Sequence, residues 1–151
     1  MDLVDSYINK LEIKGLTRQI FKTQAGIPLI CYVVEPSNPE IKANVMLYGH
    51  IDKQPHGEGW HDGLSPTDPV IRGDLMYGRG SSDDGYAAFA CMLAVKAGQA
   101  QGAKMPRVCL VLETEEESGS ENLIDLLNLA KEATGEPDFL FCMDSGCIDY
   151  E

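Results

Sequence analysis

No stretch of this 151-residue sequence approaches the ~20 consecutive apolar residues that a membrane-spanning helix needs. The opening Met1-Asp2-Leu3-Val4-Asp5 lacks the basic end and apolar core of a secretory signal. Positive charge is scarce: 12 Lys and Arg stand against 24 Asp and Glu, a formal charge of −12. So acidic a surface repels phosphate backbones and anionic lipid, so no nucleic-acid or membrane partner is expected. It attracts cations instead. Internal repeats, low-complexity stretches and Cys-x-x-Cys pairs are all missing. The cysteines at 31, 91, 109, 142 and 147 are an odd number, several lie in apolar runs, and they read as reduced, buried thiols of a cytoplasmic protein.

What is present reads as one α/β domain. Leu3, Val4, Tyr7, Ile8 and Leu11 fall at helical spacing, which predicts an amphipathic helix over 3–14. Strands are expected over 27–34, 44–48, 107–112 and 139–143, and a hairpin over 70–77 with Gly73-Asp74 at its turn. The Ala- and Met-rich stretch 86–101 predicts a well-buried helix. Ser118-Gly119-Ser120-Glu121 fits a capping box that opens another helix over about 121–132. Residues 53–69, rich in Gly, Pro, His and Asp, read as an irregular loop holding His56 and His61 as ordinary surface residues. Strands this uniformly apolar cannot face water, so a mixed, mostly parallel sheet covered by helices on both faces is expected: a three-layer α/β/α sandwich. The last strand stands only a few residues before the end of the sequence, which suggests an amino-terminal piece of a larger protein.

Three apolar strands run out into histidine or acids. The first gives Gly49-His50-Ile51-Asp52, the second Glu113-Thr114-Glu115-Glu116-Glu117, and the third Asp144; Asp83 and Asp84 stand just before the Ala-rich helix. Ligands of open α/β sheets gather beyond the carboxyl ends of the strands. Carboxylates crowded there repel one another unless their pKa values rise or a cation sits among them. An imidazole in the set favours zinc, or a similar first-row metal such as Mn2+ or Co2+, over calcium. In His50-x-Asp52 the acid can accept the second ring N–H and fix the tautomer. Of Glu116 and Glu117, one can bind metal while the other takes a proton.

The segments Gly49-His50-Ile51-Asp52-Lys53-Gln54-Pro55, Tyr77-Gly78-Arg79-Gly80-Ser81-Ser82-Asp83-Asp84 and Glu115-Glu116-Glu117-Ser118-Gly119-Ser120 together resemble the dinuclear zinc exopeptidases. That family includes dipeptidases, carboxypeptidases, aminoacylases and desuccinylases, and the spacing through Gly59-Trp60 looks closest to the dipeptidase branch. The resemblance runs over nearly the whole chain from about residue 25. It implies that His50 and Asp144 bind one zinc, that Asp83 bridges both, and that Glu117 binds the second. It further implies Glu116 as general base on a zinc-bridging water, Asp52 as the group that orients His50, and a cis Asp83–Asp84 peptide. The implied reaction is hydrolysis of the amide bond of dipeptides or short peptides with a free terminus.

Two departures stand out. The family pattern Asp-Asp-Lys-Gly is here Asp83-Asp84-Gly85-Tyr86, without the lysine. The family's last ligand, a distant histidine, and its lid domain, through which members dimerise, lie beyond residues 1–151. The whole chain is therefore expected to be the amino-terminal portion of a catalytic domain, inactive by itself. N-acyl amino acid deacylation or desuccinylation is the alternative activity. A non-catalytic fragment or binding module is the alternative of another class.

Overall fold

The computed structural model describes residues 2–144; Cys147 lies outside them. Its elements run α1 (Asp2–Lys10), β1 (Leu16–Lys22), β2 (Pro28–Val34), β3 (Asn44–His50), β4 (Val70–Arg72), β5 (Leu75–Tyr77), α2 (Tyr86–Ala100), β6 (Arg107–Glu113), a single 3-10 turn (Glu116–Ser118), α3 (Leu123–Thr134) and β7 (Phe139–Cys142). The main sheet has the order β1-β2-β6-β3-β7, and β4-β5 is a separate hairpin. β1 and β2, and β2 and β6, pair antiparallel; β3 pairs parallel with both β6 and β7.

Alternation along the strands divides the core into two layers, as a period of two requires. Ile30, Tyr32, Val34, Val108, Leu110 and Leu112 point to one face, against Ile8, Met92 and Val95 of α1 and α2. Leu29, Cys31, Val33, Cys109 and Val111 point to the other, against Leu126 and Ala130 of α3. The mixed α/β/α sandwich expected from the sequence is the observed architecture, but the sheet is not mostly parallel: of its four pairings two are parallel and two antiparallel. Among the described residues no helix is long and apolar enough to cross a membrane.

Several local expectations need correction. The first helix stops at Lys10, four residues short, because the chain tightens into a turn and Glu12 takes a left-handed φ of 49°. β1 was not anticipated: as an edge strand with three consecutive exposed residues it carries almost no apolar periodicity. The capping box does not form. Ser120 has φ 52° and its hydroxyl donates to Glu113 Oε1, so α3 starts only at Leu123. The Asp83–Asp84 peptide is trans, the form a secondary amide prefers by about 3 kcal/mol.

Candidate metal centre

The parallel core of the sheet aligns the carboxyl ends of β3, β6 and β7. Register puts Glu113 beside His50, and Cys142 beside Tyr48, so Asp144 comes level with His50 two residues beyond. Gly49 lets the start of α2 approach: a Cβ there would lie 2.5 Å from Asp84 Oδ2 and 2.7 Å from the Ala87 Cβ. Asp84, fully buried, accepts from the His50 N–H (3.1 Å) and from the Ala87 N–H (3.1 Å). It thereby joins the end of β3 to the first turn of α2 and aims its neighbour Asp83 at the imidazole.

The His50 side chain is completely buried. Its Nδ1 lies 3.2 Å from both the main-chain O and the Oδ1 of Asp52. A carbonyl oxygen can only accept, so Nδ1 carries a proton and Nε2 faces inward. Nε2 lies 3.0 Å from Asp83 Oδ1, 3.7 Å from Asp144 Oδ2 and 3.9 Å from Glu116 Oε2. Asp52 serves twice, since its Oδ2 also accepts from the Glu117 N–H at 3.0 Å. The Glu117 carboxylate is held by Gln54, through the side-chain Nε2 at 2.6 Å and the main-chain N–H at 3.2 Å.

Among the described residues, two sets of ligand atoms lie close enough to share a cation: His50 with Asp83 and Asp144, and His50 with Glu116 and Glu117. Of the site residues read from the sequence, His50, Asp83, Glu116, Glu117 and Asp144 fall in these sets and Asp52 braces His50 and Glu117, while Asp83 and Glu117 share no set. Asp84, Gln54 and Glu113 were missed as supports. Asp84 and Gln54 stood inside the recognised motifs and only their bonding partners were invisible. Glu113 is 2% exposed and accepts hydrogen bonds from the Tyr48 and Ser120 hydroxyls beneath the Glu116 loop. Burial, and then Glu113, push the Tyr48 phenol well above its ordinary range, so it keeps its proton as a donor.

Electrostatics at the rim call for positive charge. Burial opposes protonation of His50, but Asp52, Asp144, Asp84 and Glu116 outweigh it and raise the imidazole pKa above its ordinary 6.5. Desolvation raises Glu116, reinforced by Asp144, Glu117 and Glu113 and opposed by His50. Desolvation also raises Asp84, against its two backbone hydrogen bonds. A group whose pKa is raised on folding binds its proton more tightly folded than unfolded. Stability is therefore greatest below the unfolded value and falls as pH climbs through the folded one. From ordinary values of 3.8, 4.5 and 6.5 for Asp84, Glu116 and His50, all three act in one direction. The metal-free chain should lose thermal stability as pH rises from about 4 to beyond 7. A divalent cation replaces those protons, so its stabilising effect should grow over the same interval; calorimetry with and without zinc measures both trends.

The sequence pattern of peptidase family M20/M25/M40 matches residues 46–149. The chain belongs to that family. It is 32% identical over 142 residues to the Cys-Gly metallodipeptidase dug1 of Schizosaccharomyces pombe, a match covering 87% of this chain and 29% of that protein. It is 36% identical over 93 residues to the succinyl-diaminopimelate desuccinylase of Erythrobacter litoralis, covering 59% and 23%. Among solved structures, human carnosine dipeptidase 1 superposes with a TM-score of 0.76 at 25% identity, over 98% of this chain and 32% of that one. The chain thus spans less than a third of the length of these relatives.

Family membership implies a divalent metal, and the donor set fits one. An inward-facing imidazole nitrogen ringed by three carboxylates is a site in which a proton or a metal must offset the charge. Asp52 is the first support to test. Asp52→Asn would disturb both the His50 tautomer and the Glu117 backbone, and should weaken zinc binding about 10–100-fold in a chelator competition.

Proposed function

We propose that the complete protein is a dinuclear zinc peptidase that hydrolyses the amide bond of dipeptides or short peptides with a free terminus. This chain is the amino-terminal part of its catalytic domain. The observation that carries the reading is the convergence of Asp83, Glu116 and Asp144 on the buried His50 Nε2 at the strand ends. Similarity to a Cys-Gly metallodipeptidase supports the substrate class. Phe139, Leu140 and Phe141 on β7 are 58, 62 and 54% exposed, which supports further sheet or helix from the rest of the protein covering that edge.

His50, Asp83 and Asp144 would hold one ion, and Asp83 and Glu117, with a ligand from outside this chain, would hold the second. Zinc fits this mixed imidazole and carboxylate set, with Mn2+ or Co2+ as substitutes; when bound it polarises the scissile carbonyl and acidifies water. Asp52 holds the His50 ring with Nε2 inward. Gln54 steadies the Glu117 carboxylate by donating to both of its oxygens. Glu116 is left to act on protons. Its side chain is 35% exposed at the mouth of the cluster, and its raised pKa suits a base that must take a proton and give it back. It accepts the proton of the attacking water and delivers it to the leaving amine.

Of the four described cysteines, all free thiols, Cys31, Cys91 and Cys109 are buried as expected and Cys142 is exposed; the free thiols support a reducing, cytoplasmic setting. Dimerisation through a lid domain outside this chain belongs to the same proposal. Deacylation of N-acyl amino acids is the competing activity, favoured by the desuccinylase similarity. Zinc analysis combined with a panel of dipeptides, acetyl-amino acids and succinyl-amino acids separates the two. The complete protein should contain zinc and turn over dipeptides fastest, and the 151-residue chain alone should not turn over substrate. Preference for the acyl-amino acids would transfer the assignment to the deacylase reading, and turnover by the isolated chain would refute its dependence on the missing part.

A further inference from the structure

The Lys53 side chain runs beside Gly80 and Gly85, at the loop that leads into α2. Lys53 follows directly on the His50-Ile51-Asp52 segment, and its side chain turns back under the 80–85 loop. Its Nζ donates to the main-chain oxygens of Asp52 (2.8 Å), Ile51 (3.2 Å) and Asp84 (3.4 Å). Those three carbonyls match the three protons of an ammonium. The stem needs room that only glycine leaves: a Cβ at position 80 would stand 2.5 Å from Lys53 Cε and 2.8 Å from Cδ. A Cβ at position 85 would stand 3.7 Å from Cε, 3.8 Å from Nζ and 3.4 Å from the Gly80 oxygen. Those distances at position 85 are ordinary van der Waals contact and its φ of −114° is unstrained, so the tight constraint on the Lys53 stem comes from Gly80 alone.

We infer that Lys53 is a positioning residue of the metal centre, clamping the segment that carries His50 and Asp52 to the loop that carries Asp83 and Asp84. The two segments are more than thirty positions apart in sequence, and the direct polar links between them are few: His50 to Asp83, the His50 N–H to Asp84, and the Lys53 ammonium to Asp84. Both segments bear carboxylates that repel, and the ammonium ties main-chain oxygens of the two segments together. Lysine suits the position better than arginine, since a compact ammonium fits three converging carbonyls and a planar guanidinium does not. The functional half of the inference rests on the metal reading above; the clamp itself does not.

The test uses Lys53→Ala, and Lys53→Ala combined with Gly85→Lys, in the complete protein. Removal of the Lys53 side chain opens space beside Gly85, from which a lysine can present its ammonium to the same carbonyls. In metal-free protein the Lys53→Ala variant should exchange the amide hydrogens of His50 and Ala87, both bound to Asp84, about 10-fold faster or more. Its zinc affinity, read by chelator competition, should fall at least about 10-fold, and the double variant should recover most of both losses. Unchanged amide exchange in Lys53→Ala would overturn the clamp. Faster exchange with zinc affinity intact would overturn its role at the metal centre. Were the unsubstituted protein to bind no zinc at that rim, the metal reading would fall, and the exchange data would still decide the clamp.

Discussion

Glu116→Gln is expected to lower kcat of the complete protein on a dipeptide by about 10³–10⁴-fold while zinc affinity changes by less than threefold. Glutamine keeps the shape of the side chain at the mouth of the cluster but cannot take a proton from water or return it to nitrogen. It also removes one negative charge 3.9 Å from His50 Nε2, which lowers repulsion in the cluster and leaves the remaining carboxylates in place. A pure ligand behaves differently: Glu117→Gln should lower zinc occupancy and activity together. The two adjacent glutamates are thus separated by one readout, metal content. A Glu116→Gln enzyme with normal turnover would remove the base from the mechanism.

Gly49→Ala should be the most damaging small substitution outside the ligands. Its methyl group would meet Asp84 Oδ2 at 2.5 Å and the Ala87 Cβ at 2.7 Å, far inside van der Waals contact. Neither neighbour can give cheaply. Asp84 is fully buried and fixed by two backbone amides, and Ala87 sits in the first turn of α2, buried against the sheet. Overpacking of this kind costs about 1–3 kcal/mol. Relief by moving Asp84 breaks the link between β3 and α2, so zinc affinity should fall together with the urea midpoint. Adding Ala87→Gly removes one of the two clashes and should restore part of the stability. Unchanged midpoint and zinc affinity in Gly49→Ala would contradict the packing described for this corner.

Most of the candidate site residues were legible because they follow strands whose apolar runs are unmistakable, while Asp83 stands before α2. His50 follows Val45 to Gly49, Glu113 to Glu117 follow Val108 to Leu112, and Asp144 follows Phe139 to Met143. Parallel pairing then brings those ends to one edge. Supports were less legible, because a hydrogen bond to a distant backbone amide leaves no periodic trace. Asp84 read as a helix-start acid and Lys53 as a loop residue, although each joins segments more than thirty positions apart. The failed capping box at Ser118 to Glu121 has the same cause. Ser120 is drawn to the buried Glu113 carboxylate, a tertiary partner that outbids the local pattern. β1 escaped notice because an edge strand with one wet face needs few apolar residues.

Anomalous diffraction at the zinc edge from crystals of the complete protein tests the central claim most directly. The account predicts two zinc peaks at the carboxyl end of the sheet, one ligated by His50 Nε2, Asp83 and Asp144, the other by Asp83 and Glu117, with Glu116 bound to neither. Absence of zinc from that rim in zinc-saturated crystals, or Glu116 as a ligand in place of Glu117, would contradict it.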